Sequence, residues 1–255
     1  MTFIESIILG VVEGVTEFLP ISSTGHLILA SHLLGIPQTD FVKSFEIAIQ
    51  LGSILAVLIL FWRSFLNIEI LKRLVVAFIP TGIVGFLLYQ FIKDVLIGNP
   101  SVVIYALAFG GVVIILIEYF NRNKVSSESD VSSLTFMQSF LVGVAQSLAI
   151  IPGVSRSGAT VMGGLLLGIS RTTILTFSFL LAVPTMILAT AYDVYRTPEV
   201  FIDSNLALLS VGFVTAFILA LLTIRAVLSF VRTHSFVVFG VYRILLAGVF
   251  WFFIF

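Results

Sequence analysis

Glu13 and Glu17 stand four residues apart in the run EGVTEFLPISSTGH, which covers residues 13–26. On a helix that spacing puts both carboxylates on one face. Two carboxylates side by side in a low dielectric repel, and both ionise only with a cation between them. A hard divalent ion with oxygen ligands meets that need. Pro20 ends the helix; Ser22, Ser23, Thr24 and Gly25 then offer hydroxyls and free backbone N–H groups, and His26 opens the next helix. A plainer reading makes this a capping turn with two surface glutamates, but acids within so apolar a chain are costly enough to presume function.

A second run, PGVSRSGAT, covers residues 152–160. Arg156 has no neighbouring acid there and sits in an otherwise apolar stretch. It needs an anion, and its planar fork suits phosphate oxygens. Ser155, Ser157 and Gly158 surround it at the start of a helix, where N–H groups and the helix dipole also favour anions. The alternative pairs Arg156 with Glu13 or Glu17 for architecture alone; an arginine beside a metal-loaded acid pair serves both ends. Together the two runs hold two carboxylates, an arginine, a histidine and several hydroxyls. That is equipment for phosphoryl transfer.

The elements that must position these groups follow from composition. The chain has 255 residues, 59% hydrophobic and 10% charged, against about 25% charged in a soluble domain. With a mean hydropathy of +1.20, a soluble enzyme and a disordered chain are both excluded. Thirteen Lys and Arg balance thirteen Asp and Glu, so no basic surplus exists to meet nucleic acid. Zero cysteines exclude disulfides, thiolate metal sites and a cysteine nucleophile. The first twenty residues lack a basic leader and carry three glutamates, so they read as mature chain rather than a signal peptide.

Apolar residues run on for about 20 at a time, the length of a membrane-spanning helix rather than of barrel strands. The expected fold is an all-α polytopic membrane protein with six transmembrane helices, at 44–62, 73–92, 101–120, 172–192, 206–230 and 235–255. Trp62 and Trp251 lie near span ends, as interfacial indoles do. Arg63, Lys72, Arg73, Arg122, Lys124, Arg171, Arg225 and Arg232 gather on one side, which the positive-inside rule makes cytoplasmic. Lys93 with Asp94, and Arg196 among Asp193, Glu199 and Asp203, lie opposite.

Residues 1–43 and 134–171 are apolar but broken halfway by Pro, Gly and Ser. Each reads as a re-entrant helical hairpin, whose irregular backbone must be covered by protein or line a wet cavity. A shift of 133 residues lays Gly10, Val11, Ser22 and Gly25 on Gly143, Val144, Ser155 and Gly158, Glu13 on Gln146 and Thr24 on Ser157. It also lays 33–36 on 166–169 and 54–56 on 187–189. The chain thus divides into a first repeat, 1–120, a polar cytoplasmic linker, 121–133, and a second repeat, 134–255. One hairpin plus three spans per half is an odd number of crossings, so the second repeat is inverted. Broken helices of inverted repeats meet near the midplane in transporters.

Other polar residues carry weaker expectations. Glu46 and Gln50 either line the cavity or sit at the interface. Arg243, inside the last span, either snorkels or pairs with an acid. His32 and His234 are expected to be solvated.

The runs EGVTEFLPISSTGH and PGVSRSGAT, with the later FEIAIQLGSILAV, closely resemble the signature segments of the bacitracin-resistance family of undecaprenyl-diphosphate phosphatases. The resemblance extends over nearly the whole chain. It implies a bacterial plasma-membrane hydrolase that removes the terminal phosphate of undecaprenyl diphosphate at the outer face, in the presence of Mg²⁺ or Ca²⁺. The product carries precursors of peptidoglycan and other cell-wall glycans, and an abundance of the enzyme confers bacitracin resistance. Carried over by motif position, Glu13 and Glu17 are the metal-associated acids. Either Ser23 or His26 is the nucleophile, the other assisting proton transfer, unless His26 activates water directly. Arg156 is the diphosphate clamp, with Ser155, Ser157, Thr160, Ser22 and Thr24 around the substrate. The rival readings are a polyprenyl-phosphate flippase and a secondary transporter, which use the same groups to bind without cutting. A purely structural scaffold leaves the charged hairpins unexplained.

Overall fold

The computed structural model describes residues 1–91, 96, 99–121, 130–196 and 206–254. Ten α-helices follow in order among the described residues: α1 (Phe3–Thr16), α2 (Ser23–Leu33), α3 (Asp40–Leu60), α4 (Ile68–Phe91), α5 (Pro100–Asn121), α6 (Phe136–Ser147), α7 (Arg156–Leu166), α8 (Arg171–Arg196), α9 (Leu206–Val231) and α10 (Val237–Ile254). Segments of α3, α4, α5, α8 and α9 are long and apolar enough to cross a membrane. The protein is therefore an all-helical, multi-pass membrane protein. The sixth expected span corresponds to α10, a shorter apolar helix of 18 residues.

Helix starts differ from the hydropathy reading where charged residues extend a helix beyond its apolar run. α4 begins at Ile68 because Glu69 pairs with Lys72 at 2.8 Å and with Arg73 at 2.9 Å, contacts that i,i+3 and i,i+4 spacing favours. α3 begins at Asp40 behind Thr39, whose hydroxyl accepts from the Val42 N–H. Lys93, Asp94, Arg122, Lys124, Glu199 and Asp203, together with most of the 121–133 linker and the side chains of Asp193 and Arg196, lie outside the described residues. Within them, Arg73 donates to the Leu134 carbonyl and to Glu69. Arg171 grips Glu118 with two bonds, of 3.0 and 2.5 Å, and the Phe236 N–H donates to the same carboxylate. These ties draw together ends that the charge pattern puts on one side.

The two broken segments form helix–turn–helix units, α1–α2 and α6–α7. Their helices run 11 to 14 residues, or about 16–21 Å, short of the roughly 30 Å hydrocarbon core. Both units start on the same device. Thr2 caps α1 in a reciprocal box with Glu5, and Thr135 caps α6 in one with Gln138. α1 packs along α9 and α6 along α4. Gly143 makes the second contact possible, since a Cβ there would run into the Ala77 carbonyl. α5 lies along α10, and α3 packs against α8 and α9. Phe18, from the first turn, sits edge-on to Phe179 of α8, ring centroids 5.1 Å apart, inside the main apolar core.

Candidate active site

Both hairpins turn on a serine. Ser22 has φ 71° and ψ 96°, Ser155 φ 76° and ψ 117°. They are the only non-glycine residues with positive φ among the described residues. Such a backbone is unfavourable for an L side chain and persists where its surroundings over-determine it. Each serine caps the helix that follows: Ser22 Oγ accepts from Gly25 N at 3.4 Å and Ser155 Oγ from Gly158 N at 3.1 Å. The next residue is the first of its helix, Ser23 on α2 and Arg156 on α7. Gly153, at φ 93°, lets the second turn approach α5, where a Cβ would lie 2.8 Å from the Val103 carbonyl oxygen.

The two first-turn residues converge on one carboxylate. Ser23 Oγ donates to Glu17 Oε2 at 2.5 Å, and Arg156 Nη2 donates to Glu17 Oε1 at 2.7 Å. Arg156 Nη1 donates to the Ser178 carbonyl at 2.7 Å, while its buried Nε has no partner among the described residues. All three side chains line a cavity of about 210 Å³ with Ser22, Thr24, Gln50, Thr81, Gln146, Ser155 and Thr185. The lining thus contains a charged cluster, Glu17 with Ser23 and Arg156, and a neutral polar one, Gln146 with Thr81 and Thr185. The arrangement combines a hydroxyl on a carboxylate, a guanidinium with an unspent donor, and two helix N-termini. Those parts can bind an oxyanion and deprotonate an attacking hydroxyl.

Glu13, one turn before Glu17, is fully buried, and neither carboxylate oxygen has a hydrogen-bond partner among the described residues. Glu17, Ser53 and Arg156 are its polar neighbours, and the Ser53 hydroxyl is likewise unpartnered. Two orphaned carboxylate oxygens beside a second acid are the donor set of a hard cation. The residues present therefore fit Mg²⁺ or Ca²⁺.

The sequence profile described as "Bacitracin resistance protein BacA" matches residues 6–249. The chain belongs to this family. Among relatives of the BacA family, the undecaprenyl-diphosphatase of Sulfurihydrogenibium sp. (strain YO3AOP1) is 55% identical over 246 residues, 96% of this chain and 97% of the relative. That of Aquifex aeolicus (strain VF5) is 51% identical over 251 residues, 98% of each chain. That of Wolinella succinogenes is 51% identical over 255 residues, covering 100% of this chain and 99% of the relative.

On this BacA scaffold the residues singled out by sequence fall into three groups. Glu17, Ser23 and Arg156 meet, with Ser22, Thr24 and Ser155 around the same cavity. Ser157 and Thr160 do not line it: Ser157 donates to the Leu19 carbonyl at 2.7 Å, stitching α7 to the first turn, and Thr160 bonds Ser178 at 2.5 Å. His26 does not line it either. Its Nδ1 contacts the Ser22 carbonyl at 2.7 Å and its Nε2 the Tyr242 hydroxyl at 2.8 Å, with the two rings stacked. The group that accepts from the Ser23 hydroxyl is Glu17; His26, one turn along α2, is held instead by the Ser22 carbonyl and the Tyr242 hydroxyl. Gln50 lines the cavity, while Glu46, one turn away, accepts from Ser31 at 3.0 Å. His32 and His234 are exposed.

Arg243 departs from both expectations. It is 1% exposed and, among the described residues, meets no acid and donates to backbone carbonyls alone. Thr81 and Thr185 are cavity residues that motif reasoning passed over. Each directly follows a proline inside a long helix, Pro80 in α4 and Pro184 in α8. A Pro–Thr pair in mid-span was the available signal, since such a break is tolerated where protein or a cavity covers it.

Proposed function

We propose that this chain hydrolyses undecaprenyl diphosphate to undecaprenyl phosphate and inorganic phosphate. The observation that carries the reading is the Glu17 carboxylate, shared by Ser23 of one hairpin and Arg156 of the other at a cavity. The names of full-length relatives at about half identity support cleavage of a lipid-linked diphosphate over a flippase or transporter.

In this mechanism the Nη atoms of Arg156, each with one N–H already used, turn their second N–H on the diphosphate, and the N-termini of α2 and α7 add backbone N–H groups. Glu17 takes the Ser23 proton as Oγ attacks the terminal phosphorus. The Oγ–P bond forms, the bridging P–O bond breaks, and undecaprenyl phosphate leaves with the bridging oxygen. Glu17 returns the Ser23 proton to the departing undecaprenyl phosphate. Water then attacks the phosphoserine with Glu17 accepting its proton, and the Oγ–P bond breaks. Glu17 gives the proton back to Ser23 Oγ, and phosphate departs. Glu13 and Glu17 would hold the divalent cation, which supplies charge neutralisation of the diphosphate. His26 acts at one remove, fixing the Ser22 carbonyl.

The same proposal includes the architecture. The two helix–turn–helix units are re-entrant, α10 is a sixth span, and residues 1–120 and 134–255 are inverted repeats. The 133-residue spacing supports this at three devices: the Thr2 and Thr135 capping boxes, the Ser22 and Ser155 turns, and Gly35 and Gly168 with φ 66° and 77°. We place the chain in the bacterial plasma membrane with the site open to the outer face.

The test uses purified full-length protein in detergent with undecaprenyl diphosphate and Mg²⁺. Release of inorganic phosphate is expected. Binding without release would transfer the reading to a lipid carrier.

A further inference from the structure

Arg243 is a buried cation in α10 with no carboxylate within ion-pair distance among the described residues. All five of its N–H donors meet main-chain carbonyls. Nε donates to Leu107 at 3.3 Å, Nη1 to Pro20 at 3.2 Å and Val154 at 2.8 Å, and Nη2 to Ala106 at 2.9 Å and Gly153 at 2.8 Å. Pro20 belongs to the first turn, Gly153 and Val154 to the second, and Ala106 and Leu107 to α5. No donor is left over for substrate.

The bonded carbonyls lie close to the reacting groups. Pro20 is three residues before Ser23, and Val154 is two before Arg156. Between them stand Ser22 and Ser155, the two strained serines. Strained backbone needs an enclosing structure that fixes it, and the Arg243 side chain bonds both turns from a third element. A rigid planar fork can hold several carbonyls at once, as a lysine ammonium cannot. We propose that Arg243 is a positioning residue that locks the two hairpin turns in register, so that Ser23 and Arg156 meet on Glu17. The consequence for turnover rests on the phosphatase reading; the consequence for turn geometry does not.

Gly110 on α5 offers a perturbation that touches neither turn. A Cβ there would collide with Arg243 Nη2 and lie 2.8 Å from its Cζ, displacing the head of the fork. Alanine is the better helix former, but a displaced guanidinium leaves buried carbonyls unpaired. Gly110→Ala should therefore lower the thermal midpoint yet stay folded at assay temperature, while phosphate release per folded protein falls about tenfold, as misplacement of reacting groups predicts. Arg243→Lys should lower release about 100-fold. If it acts through the Arg156 turn, each change should cost about twofold or less in an Arg156→Lys background. A general loss of folded protein would multiply instead.

The absence of cysteine allows a second readout in the full chain. Spin labels at Thr24→Cys and Ile151→Cys, both exposed positions beside the two turns, should give one narrow distance distribution. It should broaden on adding Gly110→Ala or Arg243→Lys. An unbroadened distribution, or wild-type turnover in Gly110→Ala, overturns the proposal. Should Arg243→Lys not fold, Gly110→Ala decides. Should the unsubstituted protein release no phosphate, the phosphatase reading fails and the distance measurement still decides this one.

Discussion

The two hairpins share a backbone and differ in chemistry. Each enters through a threonine capping box, breaks at a serine with positive φ, and resumes as an 11-residue helix capped by that serine. At matched positions the first carries Glu13, Glu17 and Ser23, and the second Gln146, Ile150 and Arg156. One turn holds the acids and the hydroxyl, while the other holds the cation. A repeated turn supplies two converging helix N-termini, and the substitutions within it divide acid, hydroxyl and cation between them. Two carboxylates could not be repeated on both sides, since four acids about one cavity would repel one another and the diphosphate.

The largest effect should come from the position with no polar counterpart. Glu17→Gln removes the base from Ser23 and the partner from Arg156, and phosphate release should fall about 10³- to 10⁴-fold. The dependence of residual activity on Mg²⁺ should also weaken, read by titration after chelation; an unchanged titration would remove Glu17 from the cation's ligands. Ser23→Ala should cost about 10³-fold and abolish any phosphoserine trapped by acid quench. Retained turnover there would assign the attack to water. Arg156→Lys keeps the charge but loses the fork, and a drop of about 10²-fold is expected. Near-normal turnover in that variant would end its role as a clamp.

A smaller change tests the asymmetry directly. Gln146→Glu makes the second hairpin resemble the first at this position. The added acid in the neutral cluster of the cavity should raise KM for the diphosphate about tenfold with a lesser change in kcat. Thr81 and Thr185 fix the amide: their hydroxyls donate to the Gly143 and Leu181 carbonyls, so both accept from Gln146 Nε2. The smallest effects belong to the shared scaffold. Ser22→Ala and Ser155→Ala each lose a cap at a strained residue, and each should cost about 1 kcal/mol of stability. Thermal unfolding in detergent measures this, and a marked difference between the two would show that the turns are not equivalent supports.

Much of the site was legible in the two polar runs, because polar residues in an apolar chain are costly and stand out. Glu17, Ser23 and Arg156 were named that way, and the structure brings them into contact. His26, Ser157 and Thr160 were named with them, since proximity in sequence suggested proximity at the site. Tertiary partners hold these three elsewhere: His26 on Tyr242, Ser157 on the Leu19 carbonyl and Thr160 on Ser178. For Thr81 and Thr185 the Pro–Thr pairs were the one signal, weak because threonine is common in apolar helices. The role of Arg243 was not readable, since an arginine within a span has ordinary explanations in snorkelling or ion pairing.

Composition and run length by themselves determined a helical membrane protein, because about 20 apolar residues have few other ways to satisfy their backbone in lipid. The internal spacing of the runs also determined which helix breaks are alike, through local turn and capping chemistry. Tertiary structure alone decided which hydroxyl meets the carboxylate, which arginine is spent on main-chain carbonyls and which keeps a donor. Several of those choices join residues more than a hundred positions apart, as Arg156 to Glu17 and Arg243 to Pro20, and even the short-range Ser23–Glu17 bond crosses a turn. No local propensity encodes the direction in which a side chain finally points.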